Sequence, residues 1–418
     1  MVKPTPAELS VLNLDFHLEA STYSSHALHA FAAKFPPQIP RTFIESLTTA
    51  GETVLDPMNG SGTTTLEAYL LNRRGFGCDI DPLAVKIARV KSTPLDVDPF
   101  ELIPGILKNA GTFLQDKESV DGEMAARFDM KTRQFIDYWF YPETGRELMA
   151  LIQAIEEYKE GTPVREFLEV VFSSIIVTKS GGVSRARDLA HSRPHMDPGK
   201  KPKNAIKDLE RRLKKFAPII SGLPEHEPHA IIKQSDAKKL GLADGSVHLI
   251  VTSPPYANAI DYMRANKFSL VWMGRSITDL GRMRSGYIGS EATRNVKMEW
   301  LPSFTEGVLG QLRDKDEKKE AILRKYLLEM RDAMGEMHRV LVPGRYAVLV
   351  AGTSTMRGID VKTPYCLADI AEKHVGFELM GIRHRSLDRD RRMMPFAGGR
   401  TRIEQRMGTE EVIILKKA

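Results

Sequence analysis

Two short strands separated by one helix constrain the fold of this chain more than any other feature. Residues 52–57 (ETVLDP) and 75–82 (GFGCDIDP) have the character of strands, and the segment TTLEAYLLNRR between them has that of a helix. A strand, a helix and a strand in this order form the unit from which parallel sheets are built. Further strand candidates are 230–236, 247–251, 345–352, 377–383 and 410–417. The sequence therefore predicts an α/β fold of the Rossmann-like type, with a doubly wound, mostly parallel seven-stranded sheet.

A long stretch between the second and third strands, residues 95–229, exceeds the length that a crossover between parallel strands needs. Apolar residues recur at helical spacing in three of its segments, 146–158, 164–177 and 204–216. Residues 115–126 (QDKESVDGEMAA) are its most loop-like part. We therefore predict a sheet domain in two parts, 1–94 and 230–418, with a mainly helical, basic subdomain inserted at 95–229.

Composition narrows the class of protein. The formal net charge of +6 and the pI near 9.0 favour a polyanionic partner. The two cysteines do not form a disulfide framework or a cysteine-rich zinc site, and no metal is expected. Because the chain has neither a bilayer-length apolar run nor an apolar leader, we expect no membrane association and a cytoplasmic, nucleoid-associated location.

A glycine-rich turn joins the first strand to the following helix in VLDPMNGSGTTTLEA, residues 54–68. Gly60 and Gly62 allow tight backbone conformations and close approach of a ligand, and the helix beginning near Thr63 presents unpaired N–H groups to it. A phosphate-binding P-loop would carry a lysine before its serine or threonine, and this turn has none. A nucleoside triphosphatase is thereby disfavoured, while an ordinary βα turn remains the alternative.

Two acids, Asp79 and Asp81, end the second strand about twenty residues after the glycines. An acid in this place accepts hydrogen bonds from ribose hydroxyls in Rossmann-like sites. We expect Asp79 to be that ligand, and the turn and the acid together predict a cofactor that carries a nucleoside. A nicotinamide-dependent dehydrogenase is disfavoured, because no G-x-G-x-x-G follows the first strand.

The segment VTSPPYANAIDY, residues 251–262, places two successive prolines at the end of an apolar strand. Pro254 and Pro255 exclude helix and sheet continuation and fix the local backbone. The Ser253 hydroxyl and the Pro254 carbonyl are two convergent acceptors, and Tyr256 offers a ring for stacking. These groups suit the exocyclic amine of a base swung out of its helix. A structural proline turn with Tyr256 as a core plug is the alternative.

These two segments resemble the motifs of the amino-methylating DNA methyltransferases that use S-adenosylmethionine. The cofactor motif D-P-x-x-G-S-G-T of that family is matched by residues Asp56, Pro57, Met58, Asn59, Gly60, Ser61, Gly62 and Thr63. The catalytic motif, (D/N/S)-P-P-(Y/F/W), is matched by Ser253 to Tyr256. The resemblance implies S-adenosylmethionine as cofactor and methyl transfer to an exocyclic amine.

Two weaker matches extend this resemblance. HAFAAKFPPQIP, residues 29–40, is similar to the segment that lines the methionine side of the cofactor, which makes Lys34, Phe35 and Pro36 candidate cofactor residues. SDAKKL, residues 235–240, resembles a third cofactor motif, with Asp236 near the adenine amino group. The serine form of the catalytic motif is most typical of enzymes that methylate N4 of cytosine, although many of those have the circularly permuted motif order.

Two basic stretches are candidates for nucleic-acid binding. Residues 179–216, in the candidate target-recognition insert, carry twelve Lys/Arg against four Asp/Glu, and residues 383–406 carry eight arginines against three acids. The candidate contacts in these stretches are Arg185, Arg187, Arg193, Arg391 and Arg392, and Arg264, shortly after the Ser-Pro-Pro-Tyr turn, is a further candidate for contact with the target base. A solvated basic helix face is the alternative for part of the first stretch.

The sequence thus predicts a site-specific methyltransferase for N4 of cytosine in double-stranded DNA, of a restriction–modification system with a possible cognate endonuclease. Adenine N6 in DNA, a base amine in RNA, or a non-catalytic nucleic-acid-binding module with a vestigial cofactor fold remain alternatives. C5-cytosine methylation is disfavoured, because it needs a cysteine thiolate near the catalytic turn, and Cys78 and Cys366 lie elsewhere in the sequence.

Overall fold

Nine strands lie in the parts of the chain that the computed structural model describes, which are residues 9, 12–17, 19–31, 34–178, 180–187, 189, 194–227, 230–257, 261–291, 299–387 and 408–418. The strands are β1 (Thr53–Asp56), β2 (Arg74–Asp79), β3 (Ile231–Gln234), β4 (Val247–Thr252), β5 (Leu341–Ala351), β6 (Thr355–Met356), β7 (Ile359–Asp360), β8 (Phe377–Ser386) and β9 (Thr409–Lys417). Strands β6 and β7 pair with each other as a small hairpin. The other strands form one seven-stranded sheet in the order β3-β2-β1-β4-β5-β9-β8.

The sheet confirms the predicted mostly parallel arrangement. Strands β1 to β5 pair in parallel, and β9 runs antiparallel to both of its neighbours, β5 and β8. The strand order reverses direction between β1 and β4, where the chain leaves the β3-β2-β1 half and begins the β4-β5 half. In an open α/β sheet this is the place where a crevice forms beyond the carboxyl ends of the strands.

Helices cover both faces of the sheet. Those described are α1 (Gln38–Leu47), α2 (Thr63–Leu70), α3 (Pro82–Lys91), α4 (Leu102–Gln115), α5 (Lys117–Arg127), α6 (Met130–Trp139), α7 (Pro142–Glu156), α8 (Pro163–Ile176), α9 (Ala205–Ser221), α10 (Tyr262–Leu270), α11 (Ile277–Ser285), α12 (Ser303–Arg313), α13 (Glu317–Val340) and α14 (Thr363–Ile370). The alternation of side chains along β1 shows the two layers: Val54 packs with α1, whereas Leu55 packs with α12, α13 and α14.

The insert is largely helical, as predicted, and it packs directly on the sheet domain. Its helices α4 to α9 share one hydrophobic cluster with α2, α3 and α10. Glu169 on α8 forms ion pairs with Lys86 on α3 and with Arg165 on its own helix. The boundaries drawn at 94/95 and 229/230 stay predictions.

The expectation of a loop at residues 115–126 is wrong. Helix α5 occupies this stretch, and Asp116 caps it by accepting a hydrogen bond from the Ser119 N–H at 2.9 Å. An aspartate that precedes a helix in this way is a favourable N-cap. Val120 is buried on the helix, Met124 packs against the same hydrophobic cluster, and Asp121 forms an ion pair with Arg146 on α7.

Within the described residues, no helix is both long enough and apolar enough to cross a bilayer.

Candidate active site

The two principal motifs lie side by side at the carboxyl edge of the sheet. Strand β1 ends at Asp56 and its parallel neighbour β4 ends at Thr252. The Thr252 hydroxyl donates a hydrogen bond of 2.6 Å to Asp56 Oδ1, and the Thr64 hydroxyl donates one of 3.0 Å to the Val251 carbonyl. The turn that begins at Ser253 is thus tied directly to the glycine-rich turn.

The glycine-rich turn has the backbone that its sequence predicts. Gly60 and Gly62 adopt positive φ angles of 48° and 81°, a region that favours glycine. Helix α2 then begins at Thr63. A Cβ atom on Gly62 would lie 2.7 Å from the Cβ of Ala88, so this turn also requires glycine for the close approach of α3.

Asp56 and Asn59 are buried in this turn. Asp56 also accepts a hydrogen bond from the Met58 N–H, and burial raises the pKa of its carboxyl to about 6. Asn59 Oδ1 accepts a hydrogen bond from Thr65 Oγ1, whereas its Nδ2 is buried without a partner among the described residues. An unpaired donor beside a glycine-rich turn is suited to a polar ligand.

The remaining turn residues act through their backbone. The Ser61 carbonyl accepts a hydrogen bond of 2.9 Å from the buried Lys91 ammonium. The Pro57 carbonyl accepts one of 3.1 Å from the Cys78 thiol. Both contacts hold the turn against the neighbouring elements α3 and β2.

The two acids after β2 have different roles. Asp81 is buried and caps α3, accepting hydrogen bonds from the Leu83 and Ala84 N–H groups. Asp79 is partly exposed at the edge of the sheet and accepts a hydrogen bond of 2.7 Å from the Gly60 N–H. Burial of its carboxylate, together with the charge of Asp81, raises the pKa of Asp79 to about 7. This placement is consistent with the preference for Asp79 as a ligand.

Asp236 lies in the loop that follows β3, next to β2. The Ser235 N–H donates a hydrogen bond of 3.1 Å to the Asp79 carbonyl, which joins the two loops. The Asp236 carboxylate accepts a hydrogen bond from the Lys238 N–H and forms an ion pair of 3.1 Å with its ammonium. Its predicted contact with adenine stays a prediction.

The segment before α1 approaches the glycine-rich turn through a residue that the sequence did not single out. The Phe31 ring comes within 3.3 Å of the position that a Cβ on Gly60 would take. It stacks on Tyr262, with ring centroids 5.3 Å apart and an interplanar angle of 17°. Burial and the charge of Asp79 raise the pKa of Tyr262. An aromatic pair over a glycine of this turn fits a cofactor that carries a nucleoside.

The three predicted residues of that segment make structural contacts. Lys34 donates a hydrogen bond of 2.9 Å to the His26 carbonyl. Phe35 packs into the cluster around α1, and the buried Pro36 accepts a hydrogen bond from the Ile39 N–H. Their proposed role beside the methionine part of the cofactor stays a prediction.

The Ser-Pro-Pro-Tyr turn leaves β4 without regular secondary structure. Ser253, Pro255 and Tyr256 are partly exposed, and Pro254 is buried. The Tyr256 hydroxyl donates a hydrogen bond of 2.6 Å to Glu410 Oε1 on β9. The ring is therefore held at its polar end, and its predicted stacking on a base stays a prediction.

Neither cysteine has the properties of a nucleophile. Cys78 and Cys366 are both buried, and burial raises the pKa of each thiol to about 12. A thiol of this kind stays protonated near neutral pH. The chemistry of C5-cytosine methylation therefore lacks its thiolate in these two residues.

The candidate DNA-binding residues are only partly described. The Arg185 guanidinium lies over the Tyr141 ring at 5.0 Å from its centroid, and Arg187 is exposed. Arg264 forms an ion pair of 2.9 Å with Asp261 close to the catalytic turn. Arg193, Arg391 and Arg392 lie outside the described residues, so their roles stay predictions.

Comparison with known proteins gives matches that follow these motifs. A family model described as DNA methylase, of the N6/N4 type, matches residues 14–90. The Type II methyltransferase M.MvaI of Kocuria varians is 23% identical over 384 residues, which cover 84% of this chain and 81% of that protein. The chain is a relative of the amino-methylating DNA methyltransferases. The predicted family is thereby confirmed, and S-adenosylmethionine as cofactor agrees with it.

The chain is also similar to a second Type II methyltransferase and to solved methyltransferase structures. The Type II methyltransferase M.BsoBI of Geobacillus stearothermophilus is 22% identical over 301 residues, covering 67% of this chain and 59% of that protein. Among solved structures, a SAM-dependent methyltransferase from Methanosarcina mazei is 12% identical with a TM-score of 0.33, covering 90% of this chain and 96% of that one. TrmN from Thermus thermophilus is also 12% identical, with a TM-score of 0.32 and coverage of 92% and 49%.

Proposed function

We propose that this protein transfers a methyl group from S-adenosylmethionine to the N4 amine of cytosine in double-stranded DNA. The observation that carries the proposal is the hydrogen bond from Thr252 to Asp56, which holds the candidate catalytic turn against the candidate cofactor turn. Transfer between two molecules needs both bound in one rigid site, because positioning supplies much of the rate. S-adenosylmethionine supplies an electrophilic methyl group at this site.

The cofactor would be held by the glycine-rich turn and its neighbours. The N–H groups at the start of α2 and the Asn59 Nδ2, which is buried without a partner among the described residues, would donate hydrogen bonds to polar groups of the cofactor. Asp79 would accept hydrogen bonds from ribose hydroxyls, and the stacked pair of Phe31 and Tyr262 would provide an apolar wall. Gly60 leaves room for close approach.

The target amine would be held by the Ser-Pro-Pro-Tyr turn. The Ser253 hydroxyl and the Pro254 carbonyl would accept hydrogen bonds from the two N–H groups of the amine. These hydrogen bonds reduce conjugation of the nitrogen lone pair with the cytosine ring. Tyr256 stacks on the base, and stacking of this kind contributes about 1–3 kcal/mol per base. The amine proton leaves to water after transfer, so the turn needs no strong base.

The serine in the turn and the basic insert support the choice of substrate. Serine at this position is the form most typical of N4-cytosine enzymes in the family. Arg187 is exposed on the insert, where it can contact a phosphate, and Arg264 lies shortly after the catalytic turn, where it can contact the nucleic acid. A recognition role for residues 95–229 and a cognate endonuclease belong to the same proposal.

Nucleoside analysis tests the choice of base. Purified protein would be incubated with labelled S-adenosylmethionine and either unmodified plasmid DNA or total RNA, and each product digested and analysed by mass spectrometry. We expect label in N4-methylcytosine from DNA. Label in N6-methyladenine would refute the base assignment and keep the chemistry, and label only in RNA would refute DNA as substrate.

A further inference from the structure

The hydroxyl of Tyr256 donates a hydrogen bond to Glu410, a residue far away in sequence that lies at the amino end of β9. We propose that Glu410 is a positioning residue for methyl transfer: it fixes the orientation in which the Tyr256 ring stacks on the target base, and Arg385 fixes Glu410 in turn. This inference rests on the proposed function, since it assigns a role in the same site.

The topology brings these residues together. Strand β9 is antiparallel to β5, so its amino end lies at the sheet edge where β4 ends at its carboxyl end. Arg385 on β8 is the register partner of Glu410. The candidate catalytic turn therefore meets an acid and an arginine that come from the last two strands of the sheet.

The contacts form a continuous chain from the ring to the backbone. The Tyr256 hydroxyl donates to Glu410 Oε1 at 2.6 Å, and Arg385 Nη1 donates to the other carboxylate oxygen, Oε2. Arg385 Nε donates to the Leu14 carbonyl at 3.1 Å. Both charged side chains are buried, Arg385 with 2% and Glu410 with 8% of its surface exposed. The carboxylate is thus fixed on both oxygens before any substrate binds.

This chain of hydrogen bonds holds the Tyr256 ring in one orientation before DNA binds, so that binding costs little further conformational entropy. Hydrogen bonds to a charged group are shorter and stronger than those between neutral groups. Burial and the charge of Glu410 raise the pKa of Tyr256 well above its usual value, so the phenol stays a donor near neutral pH. A ring held in one orientation loses less rotamer freedom on stacking than a free ring, which is the general benefit of preorganisation.

The structural alternative predicts a different pattern of losses. If Glu410 served stability alone, its replacement would lower activity whichever residue occupied position 256. If it acts through the Tyr256 hydroxyl, its replacement has no further effect once that hydroxyl is absent. Tyr256→Phe keeps a stacking ring and removes only the hydroxyl. The motif of the amino-methylating DNA methyltransferases also allows phenylalanine at this position.

The variants are Glu410→Gln, Tyr256→Phe, and the two combined. In Glu410→Gln the amide turns its oxygen toward Arg385 and its NH2 group toward the phenol, which loses its acceptor. The matched control is Glu411→Gln on the same strand, since Glu411 pairs with His384 instead. Labelled methyl transfer to DNA and calorimetric binding of S-adenosylmethionine would be measured for each.

We expect kcat/KM for DNA to fall about tenfold in Glu410→Gln, the factor that corresponds to about 1.4 kcal/mol of lost hydrogen-bond free energy. Tyr256→Phe should fall by a similar factor, and the double variant should fall no further than either. Glu411→Gln should match the wild type, and affinity for S-adenosylmethionine should be the same in all. Additive losses in the double variant would overturn the inference.

A second measurement does not depend on activity. Among the eleven tyrosines, labelled as 3-fluorotyrosine, the fluorine resonance that disappears in Tyr256→Phe belongs to Tyr256. We expect Glu410→Gln to shift this resonance and Glu411→Gln to leave it in place. An unshifted resonance in Glu410→Gln would overturn the inference. Absence of methyl transfer by the wild type would instead refute the proposed function, leaving the resonance to decide whether Glu410 fixes the ring.

Discussion

Replacing Thr252 with valine removes the hydrogen bond that joins the two turns, and the structure sets the size of the effect. The Thr252 hydroxyl and the Asp56 carboxyl are 2.6 Å apart, and both residues are almost fully buried. Water therefore does not replace the lost donor. A hydrogen bond to a charged group contributes about 1.5–3 kcal/mol, so we expect the variant to lose about 2 kcal/mol of unfolding free energy at about pH 8.

The loss of unfolding free energy in Thr252→Val should depend on pH. The folded-state pKa of Asp56 is about 6, above its ordinary value of 3.8, so the folded protein binds more protons than the unfolded chain between these values. The cost of burying the carboxylate is therefore present above about pH 6 and falls as pH decreases toward about 4. Valine deprives the anionic form of its donor, so the difference between variant and wild type should shrink to about 1 kcal/mol at about pH 5.

Urea unfolding monitored by tryptophan fluorescence at the two pH values measures this difference. Thr252→Ser is the matched control, because it keeps the hydroxyl and loses only a methyl group. Methyl transfer by Thr252→Val should fall by about ten- to a hundredfold, since the turns lose their fixed separation. A valine variant as stable and as active as the serine variant at both pH values would refute the reasoning.

Three other substitutions test separate parts of the site. Asp79→Asn should weaken binding of S-adenosylmethionine about tenfold in calorimetry. The wild type should bind S-adenosylmethionine more tightly as pH rises through about 7, because Asp79 ionises there. Wild-type affinity that does not change with pH would contradict this. Gly62→Ala should cost about 2 kcal/mol in urea unfolding, because its φ is 81° and its Cβ would meet Ala88. Gly111→Ala, at an open helical position, should show no such loss. Arg187→Ala should weaken binding to every DNA sequence and lower the salt dependence by about one counterion, whereas a loss confined to one sequence would indicate base contact.

Local signals were sufficient for the sheet and for the two principal turns. Each of the seven strands of the main sheet overlaps a segment that the sequence predicts, whereas the short hairpin strands β6 and β7 were not predicted. The glycines of the cofactor turn and the prolines of the catalytic turn specify backbone conformation by themselves. Since parallel strands present their carboxyl ends at one edge, the fold class places both turns at that edge, whereas their adjacency depends on the pairing of β1 with β4.

Contacts between distant segments were not predictable from one sequence. Phe31 and Tyr262 are separated by most of the chain, and nothing in either segment indicates that they stack. Glu410 lies at the start of an apolar strand, where a charged residue usually indicates the solvent-exposed end of the strand. In the structure it forms an ion pair with the buried Arg385. Helix α5 was missed because its cap and one buried valine give no period. Such contacts depend on how the faces of the fold meet.

The most direct test of the account is methyl transfer from labelled S-adenosylmethionine to plasmid DNA by wild-type protein and by Ser253→Ala, with cofactor binding measured in parallel. Ser246→Ala, just before β4 at the opposite edge of the sheet, is the control. We predict that all three proteins bind S-adenosylmethionine, and that wild type and Ser246→Ala label DNA while Ser253→Ala does so at least about tenfold more slowly. Equal labelling by Ser253→Ala, or cofactor binding without any labelling by the wild type, would contradict a single methyl-transfer site built from the two turns.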